Sequence, residues 1–189
     1  STVIGASLAR MHDHLGDDVT RINHIGDWGS QFGKLVAGWN RWGKEESFQQ
    51  DPIGHLLEIY VRFHKEEKSD DSLKEEARAA FQELESGEDN ATRQLWIHFT
   101  EFSLHEFSKI YQRLGISFDL VRGESWYENL LSGMVSWLKE CNVLEESDGA
   151  QIVDLKSEGI KTPCLVLTSH NTTLYATRDL AAAKSRWEE

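Results

Sequence analysis

Cysteine, proline, long apolar runs and basic charge are all scarce in this sequence, and each scarcity removes a class of protein. Cys141 and Cys164, the two cysteines among 189 residues, are too few for a disulfide framework and lack metal-type spacing. A reducing, cytoplasmic setting is the expectation. No apolar stretch approaches the roughly 18 residues that a membrane span needs, and nothing resembles a secretory signal. Two prolines leave room for long uninterrupted helices. Lys and Arg number 20 against 32 Asp and Glu, for a formal charge of −12. Non-specific binding to a phosphate backbone, which needs cations to displace counterions, is disfavoured. A local basic patch stays open.

What is abundant is bulk. Hydrophobic residues make up 39% of the chain, with seven tryptophans and eight phenylalanines, enough for a substantial core. The negative charge is concentrated in the middle. Residues 1–43 hold four basic and four acidic groups, residues 44–90 six and fourteen, and residues 91–189 ten and fourteen. The plain reading of the acidic middle is a solvated helical surface.

Periodicity divides the chain into three. Val3, Ile4, Leu8, Met11 and Leu15 have helical spacing, and Gly16 stands where a helix would stop. A β-compatible run, Val19 to Asn23, leads into a glycine loop, and Gln31 to about Gly43 reads as a helix; this order suggests half of an α/β unit. In the middle, Asp51-Pro52 is a strong helix start, with Ile53, Leu56, Leu57, Tyr60 and Phe63 or His64 on one apolar face. Ser72 and Glu75 have capping-box spacing ahead of Leu73, Ala77, Ala80, Phe81 and Leu84, which run to Gly87. A longer helix is predicted from about Asn90 to Gly115. The last third returns to α/β. Phe118 to Arg122 suggests a strand, and Ser125 with Glu128 a second capping box. Ser147-Asp148-Gly149 marks a hairpin turn. Cys164–Thr168 and Thr173–Ala176 look like strands around His170-Asn171, before a final helix starting near Arg178 or Asp179.

Two segments stand above this background. Asn23-His24-Ile25-Gly26-Asp27-Trp28-Gly29-Ser30-Gln31-Phe32-Gly33 places glycines, an acid, an amide and a tryptophan at the C-terminal end of a strand, where open α/β sheets bind ligands. Its glycines would let the backbone turn tightly or approach a ligand; Trp28 could equally be a packing anchor. In Leu174 to Lys184, Tyr175 is expected to close a strand, and Asp179 to sit in a first helical turn, where it could simply cap. The histidines carry less. His12 and His14 flank Asp13 near a helix end, and His98 and His105 lie two turns apart; neither pair reaches a metal-ligand count, so no metal site is expected.

These segments together resemble bacterial-type arginyl-tRNA synthetases. Ser1-Thr2-Val3-Ile4-Gly5 looks like the stretch after the class I His-x-Gly-His signature, and Gly26 to Gly33 matches the hallmark Gly-Asp-Trp-Gly-x-Gln-Phe-Gly of that family. Gly123-Glu124-Ser125 with Tyr127, and Tyr175 to Lys184, match two further family stretches. The resemblance implies an α/β fold, part of a class I Rossmann-like catalytic domain with an all-helical insertion. It assigns residues 1–43 to the first part of that domain, 44–115 to the insertion, and 116–189 to its continuation, with a hairpin and an amino-acid-binding segment. It implies that Asp179 binds the substrate guanidinium, that Tyr175 helps to fix the amino acid, and that Asn23, His24, Gly26, Asp27, Trp28, Gly29 and Gln31 form a loop near the active site.

The implied activity is ATP-dependent activation of arginine and its transfer to tRNA(Arg), with ATP and its Mg2+ as substrate. The arginine carboxylate attacks the α-phosphate, pyrophosphate leaves, and the arginyl group passes to the terminal adenosine. Positioning and stabilisation of phosphate charge suffice, so no protein nucleophile is expected. Ser1 is not methionine, and the histidine signature and the Lys-Met-Ser-Lys-Ser-type loop are expected outside the 189 residues. A partial catalytic domain, inactive alone, is therefore the expectation. A truncated synthetase-like paralogue serving as a non-catalytic binding or regulatory module is the alternative. A helical interaction protein working through its acidic middle is disfavoured by the hallmark loop.

Overall fold

A computed structural model describes residues 1–169 and 172–189; His170-Asn171 lies outside the described residues. The chain is mixed α/β with mostly helical content, and forms two compact units, Ser1–Val121 and Arg122–Glu189. Within the first unit, the helix after the hallmark loop shares its core with the acidic helices.

In the first unit, α1 (Thr2–Leu15) ends at Gly16, whose φ of 90° is the left-handed geometry a glycine stop supplies. Its apolar residues Val3, Ile4, Leu8, Met11 and Leu15 are all exposed. β1 (Ile22–Asn23) pairs in parallel with β2 (Leu120–Val121), in register Ile22 to Leu120 and Asn23 to Val121. Between these strands run α2 (Ser30–Trp42), α3 (Glu45–Gln50), α4 (Pro52–Glu66), α5 (Ser72–Glu85) and α6 (Ala91–Leu114). Val36 of α2, Phe48, Leu56, Ala80 and Phe99 meet in one cluster, and Ala37, Phe63, Leu73 and Ala77 in another. The parallel strand pair is thus bridged by a helical bundle that supplies its own core.

The helix starts show which local signals hold. The Asp51 carboxylate accepts from the Gly54 amide at 3.0 Å, directly ahead of Pro52. Asp51→Ala is expected to cost about 1 kcal/mol of stability, the ordinary value of a lost N-cap, read as a lower urea midpoint with unchanged slope. Asn90 caps α6 likewise, accepting from the Arg93 amide at 2.9 Å. The Ser72–Glu75 box does not form. Ser72 is already inside the helix, and its hydroxyl donates to Asp70 at 2.6 Å. The apolar face of α4 is also rotated from expectation. His55, Leu56, Ile59 and Phe63 are buried, while Leu57 is exposed.

The second unit begins with a 3-10 segment, Glu124–Leu130, followed by α7 (Leu131–Glu140). No Ser125–Glu128 box opens α7, whose N-cap is Leu130; both residues lie in the 3-10 segment, and the Glu128 carboxylate accepts from Arg178. β3 (Glu145–Ser147) and β4 (Ala150–Val153) form the expected hairpin, with Asp148 and Gly149 at φ of 51° and 77°, the doubly left-handed turn that matches strand twist. β5 (Cys164–Leu167) adds antiparallel to β4. Thr173–Ala176 is not a strand. Thr173 makes one bridge to Leu167, and α8 (Tyr175–Glu188) starts there, about three residues before the sequence suggested. Thr177 explains the early start. Its buried hydroxyl donates to the Val166 carbonyl at 2.6 Å, fixing the first turn of α8 on β5. Tyr127, Leu131, Met134, Leu138, Val166 and Ala181 close the core beneath.

Candidate functional site

The hallmark loop follows β1, and the structure separates its residues by task. Trp28 is nearly fully buried, edge-on to Trp96 at 5.3 Å and to Phe81 at 6.2 Å between ring centres. The Trp96 indole N–H donates to the Asp27 carbonyl at 2.7 Å, and the Gln31 amide donates to the Trp28 carbonyl at 2.7 Å. Gly29, at φ 126°, occupies backbone space that side chains rarely enter, and a Cβ there would meet the Gln31 amide oxygen at 2.5 Å. Trp28, Gly29 and Gln31 therefore fold the loop onto α5 and α6.

Asn23, His24 and Asp27 are the polar remainder. Asn23 is buried, with its amide oxygen 3.4 Å from the Tyr111 hydroxyl. A cleft of about 340 Å3 is lined by Asn23, His24, Arg21, Thr20 and the small residues Gly5 and Ala6 of α1. On another side, Gly26, Asp27 and Gln31 border an apolar groove of about 490 Å3 with Phe32, Leu57 and Tyr60. Both volumes fall within the range of small-molecule sites. The loop thus presents one buried amide and one buried acid to two concavities.

In the second unit, Tyr175 and Asp179 lie one turn apart at the start of α8, the spacing that brings side chains together on one helix face. The phenol and the carboxylate are close enough for the charge of Asp179 to act on Tyr175. The charge of Asp179 raises the phenol above its ordinary range, with further contributions from partial desolvation and the charge of Glu124. Because α8 starts at Tyr175, Asp179 lies beyond the first turn, which contains no acid. The capping explanation for Asp179 is thereby removed. Both side chains are exposed, and neither lines the 540 Å3 cavity that Trp126, Met134, Trp137 and Lys184 border in this unit.

Two acids of the 3-10 segment have interactions that the sequence reasoning missed. Glu124 was noted only as part of a matching stretch, yet its charge acts on Tyr175. Glu128 was read as half of a capping box, yet it accepts from the Arg178 Nε at 2.6 Å. The sequence signal is two acids one turn apart that flank Trp126 and Tyr127. Of the histidines, His12 pairs with Asp17 at 2.6 Å, and His98 packs against Phe48 and Phe102. Among the described residues, no group of three or more His, Cys, Asp or Glu is placed to hold a metal ion, and no helix is long and apolar enough to cross a membrane.

Comparison with known proteins matches residues 1–189 to the family described as tRNA synthetases class I (R), catalytic domain. The chain is 48% identical over 188 residues to an arginine–tRNA ligase of Exiguobacterium sibiricum, and 47% identical over 186 residues to arginine–tRNA ligase 2 of Bacillus anthracis. These alignments cover 100% and 98% of the chain, but 33% of each relative, so the chain spans about a third of their length. Among solved structures it resembles arginyl-tRNA synthetase from Plasmodium falciparum, with a TM-score of 0.79 at 29% identity, over 98% of this chain and 31% of that one.

Proposed function

Since the chain belongs to the class I arginyl-tRNA synthetase catalytic-domain family, we propose that it carries the arginine side-chain site of an arginine–tRNA ligase. The single observation that carries this reading is the pair Tyr175 and Asp179, exposed and one turn apart at the start of α8, with the charge of Glu124 also acting on the phenol. Two carboxylates and a phenol suit a planar, permanently charged guanidinium, which pairs with a carboxylate through parallel N–H donors. The phenol adds an apolar wall with a polar tip. A lysine ammonium, a compact point charge, would use the same acids less well.

In the parent protein we assign arginine, ATP with its Mg2+, and tRNA(Arg) as substrates, in a cytoplasmic setting. The reaction needs no nucleophile from this chain: the arginine carboxylate attacks the α-phosphate, and pyrophosphate departs with the displaced bond. What the residues at the start of α8 supply is a fixed location for the side chain, and hence for the carboxylate at its other end. For the hallmark loop we propose a division of labour: Trp28, Gly29 and Gln31 hold its shape, Gly26 keeps the backbone open, and Asn23, His24 and Asp27 face substrate. We keep the assignment of residues 44–115 as a family-specific helical insertion, and of 116–189 as the resumed catalytic domain, as part of this proposal.

Ligand discrimination tests the reading. By calorimetry, the chain should bind arginine but give no heat with citrulline, which keeps the shape and replaces the guanidinium with a neutral urea. Equal binding of the two would sink the assignment, since they differ only in the charge and the N–H donors that a carboxylate would recognise.

A further inference from the structure

A site built for a guanidinium has a difficulty here: the residue before its acid carries a guanidinium of its own. Arg178 immediately precedes Asp179, and its long side chain could fold toward the same carboxylate as a substrate arginine. Covalent attachment would give it a high effective concentration. It is held elsewhere. The Arg178 Nε donates to the Glu128 carboxylate at 2.6 Å, and the arginine side chain is 10% exposed. Glu128 lies on the 3-10 segment and Arg178 on α8, and the hydroxyl of Thr177, next in line, anchors the same turn to β5.

We propose that Glu128 is a positioning residue that sequesters Arg178, so that Asp179 remains available to the substrate guanidinium. This rests on the assignment of Asp179 as the arginine-binding acid. The ion pair also joins two elements of the fold, so a purely structural clamp is the competing account. The two differ in symmetry. A clamp is lost whichever partner is removed. Sequestration is lost only when the acid goes and the arginine stays, because then a freed cation competes for Asp179.

The test uses the chain with Glu128→Gln, Arg178→Leu and the double variant, each measured for arginine affinity and for thermal unfolding. Glu128→Gln should weaken arginine binding at least tenfold. Arg178→Leu should stay within threefold of the parent, and adding Arg178→Leu to Glu128→Gln should restore affinity to that range. A clamp would instead weaken both single variants alike. If Glu128→Gln does not fold, Glu128→Asp, one methylene shorter, takes its place and should again be rescued by Arg178→Leu.

A second readout needs no ligand. A cation entering beside Asp179 should lower the Tyr175 titration in Glu128→Gln, followed by NMR of ring-labelled tyrosine, while Arg178→Leu leaves it raised. Asp179 and Glu124 are the charges that now hold that phenol up. Equal loss of affinity in the two single variants, failure of the double variant to recover, or an unmoved Tyr175 titration in Glu128→Gln would each overturn the proposal. Absence of arginine binding by the parent chain would instead overturn the site assignment, and the role of Glu128 with it; the tyrosine titration would still report where Arg178 goes.

Discussion

Replacing Gly33 by alanine is expected to destabilise the first unit by at least about 3 kcal/mol, at the upper end of what overpacking costs. On an isolated helix the same change would stabilise by up to about 1 kcal/mol, since glycine is the poorer helix former. Here packing wins by a wide margin. A Cβ at Gly33 of α2 would overlap the Ala77 carbonyl of α5 and stand 2.8 Å from the Phe81 Cβ. The carbonyl belongs to a hydrogen-bonded helix and cannot swing aside as a flexible side-chain tip would. Separating α2 from α5 would also loosen Trp28, which packs against Phe81. Urea unfolding followed by tryptophan fluorescence should show a much lower midpoint, or an unfolded variant at room temperature. A midpoint equal to that of the parent would mean that α2 and α5 do not cross as closely as described.

Asp179→Asn should lower arginine affinity roughly 100-fold, since a bidentate, charge-assisted pair is exchanged for neutral amide contacts. Folding should be unaffected, because Asp179 is exposed and caps nothing. Tyr175→Phe, which keeps the apolar wall and removes the hydroxyl, should cost far less, roughly threefold to tenfold by the value of one hydrogen bond. Isothermal titration of the three chains side by side decides this. An Asp179→Asn chain that binds arginine as the parent does would take Asp179 out of the site. The same substitution should return the Tyr175 phenol toward its ordinary titration range, because the largest cause of its elevation is removed.

Much of the molecule was legible one segment at a time. Asp51-Pro52, Asn90 and Gly16 each declare a helix boundary through backbone chemistry that needs no partner. The Asp148-Gly149 turn is equally local, since both residues must adopt positive φ. The failures were also local in form but tertiary in cause. Ser72 and Glu75 had the right spacing, and Asp70 claimed the serine hydroxyl. Ser125 and Glu128 had it too, and an arginine 50 positions away claimed the glutamate. Thr173 to Ala176 looked extended because a branched residue and a tyrosine favour strands, but the bond from Thr177 to the Val166 carbonyl pulled the helix forward.

The candidate site divides in the same way. Sequence alone determined the family, because glycine, tryptophan, tyrosine and aspartate at fixed spacing form a pattern that can be read without coordinates. It also determined the acidic character of residues 44–90, which is a matter of counting. Only the tertiary structure decided that Trp28 is a packing anchor and that Asp179 lies beyond the first turn of α8, where its charge acts on Tyr175. It alone brought Glu128 to Arg178. The reason is distance along the chain: a carboxylate is drawn to whichever cation or hydroxyl the fold delivers, and charge carries no mark of which partner that will be.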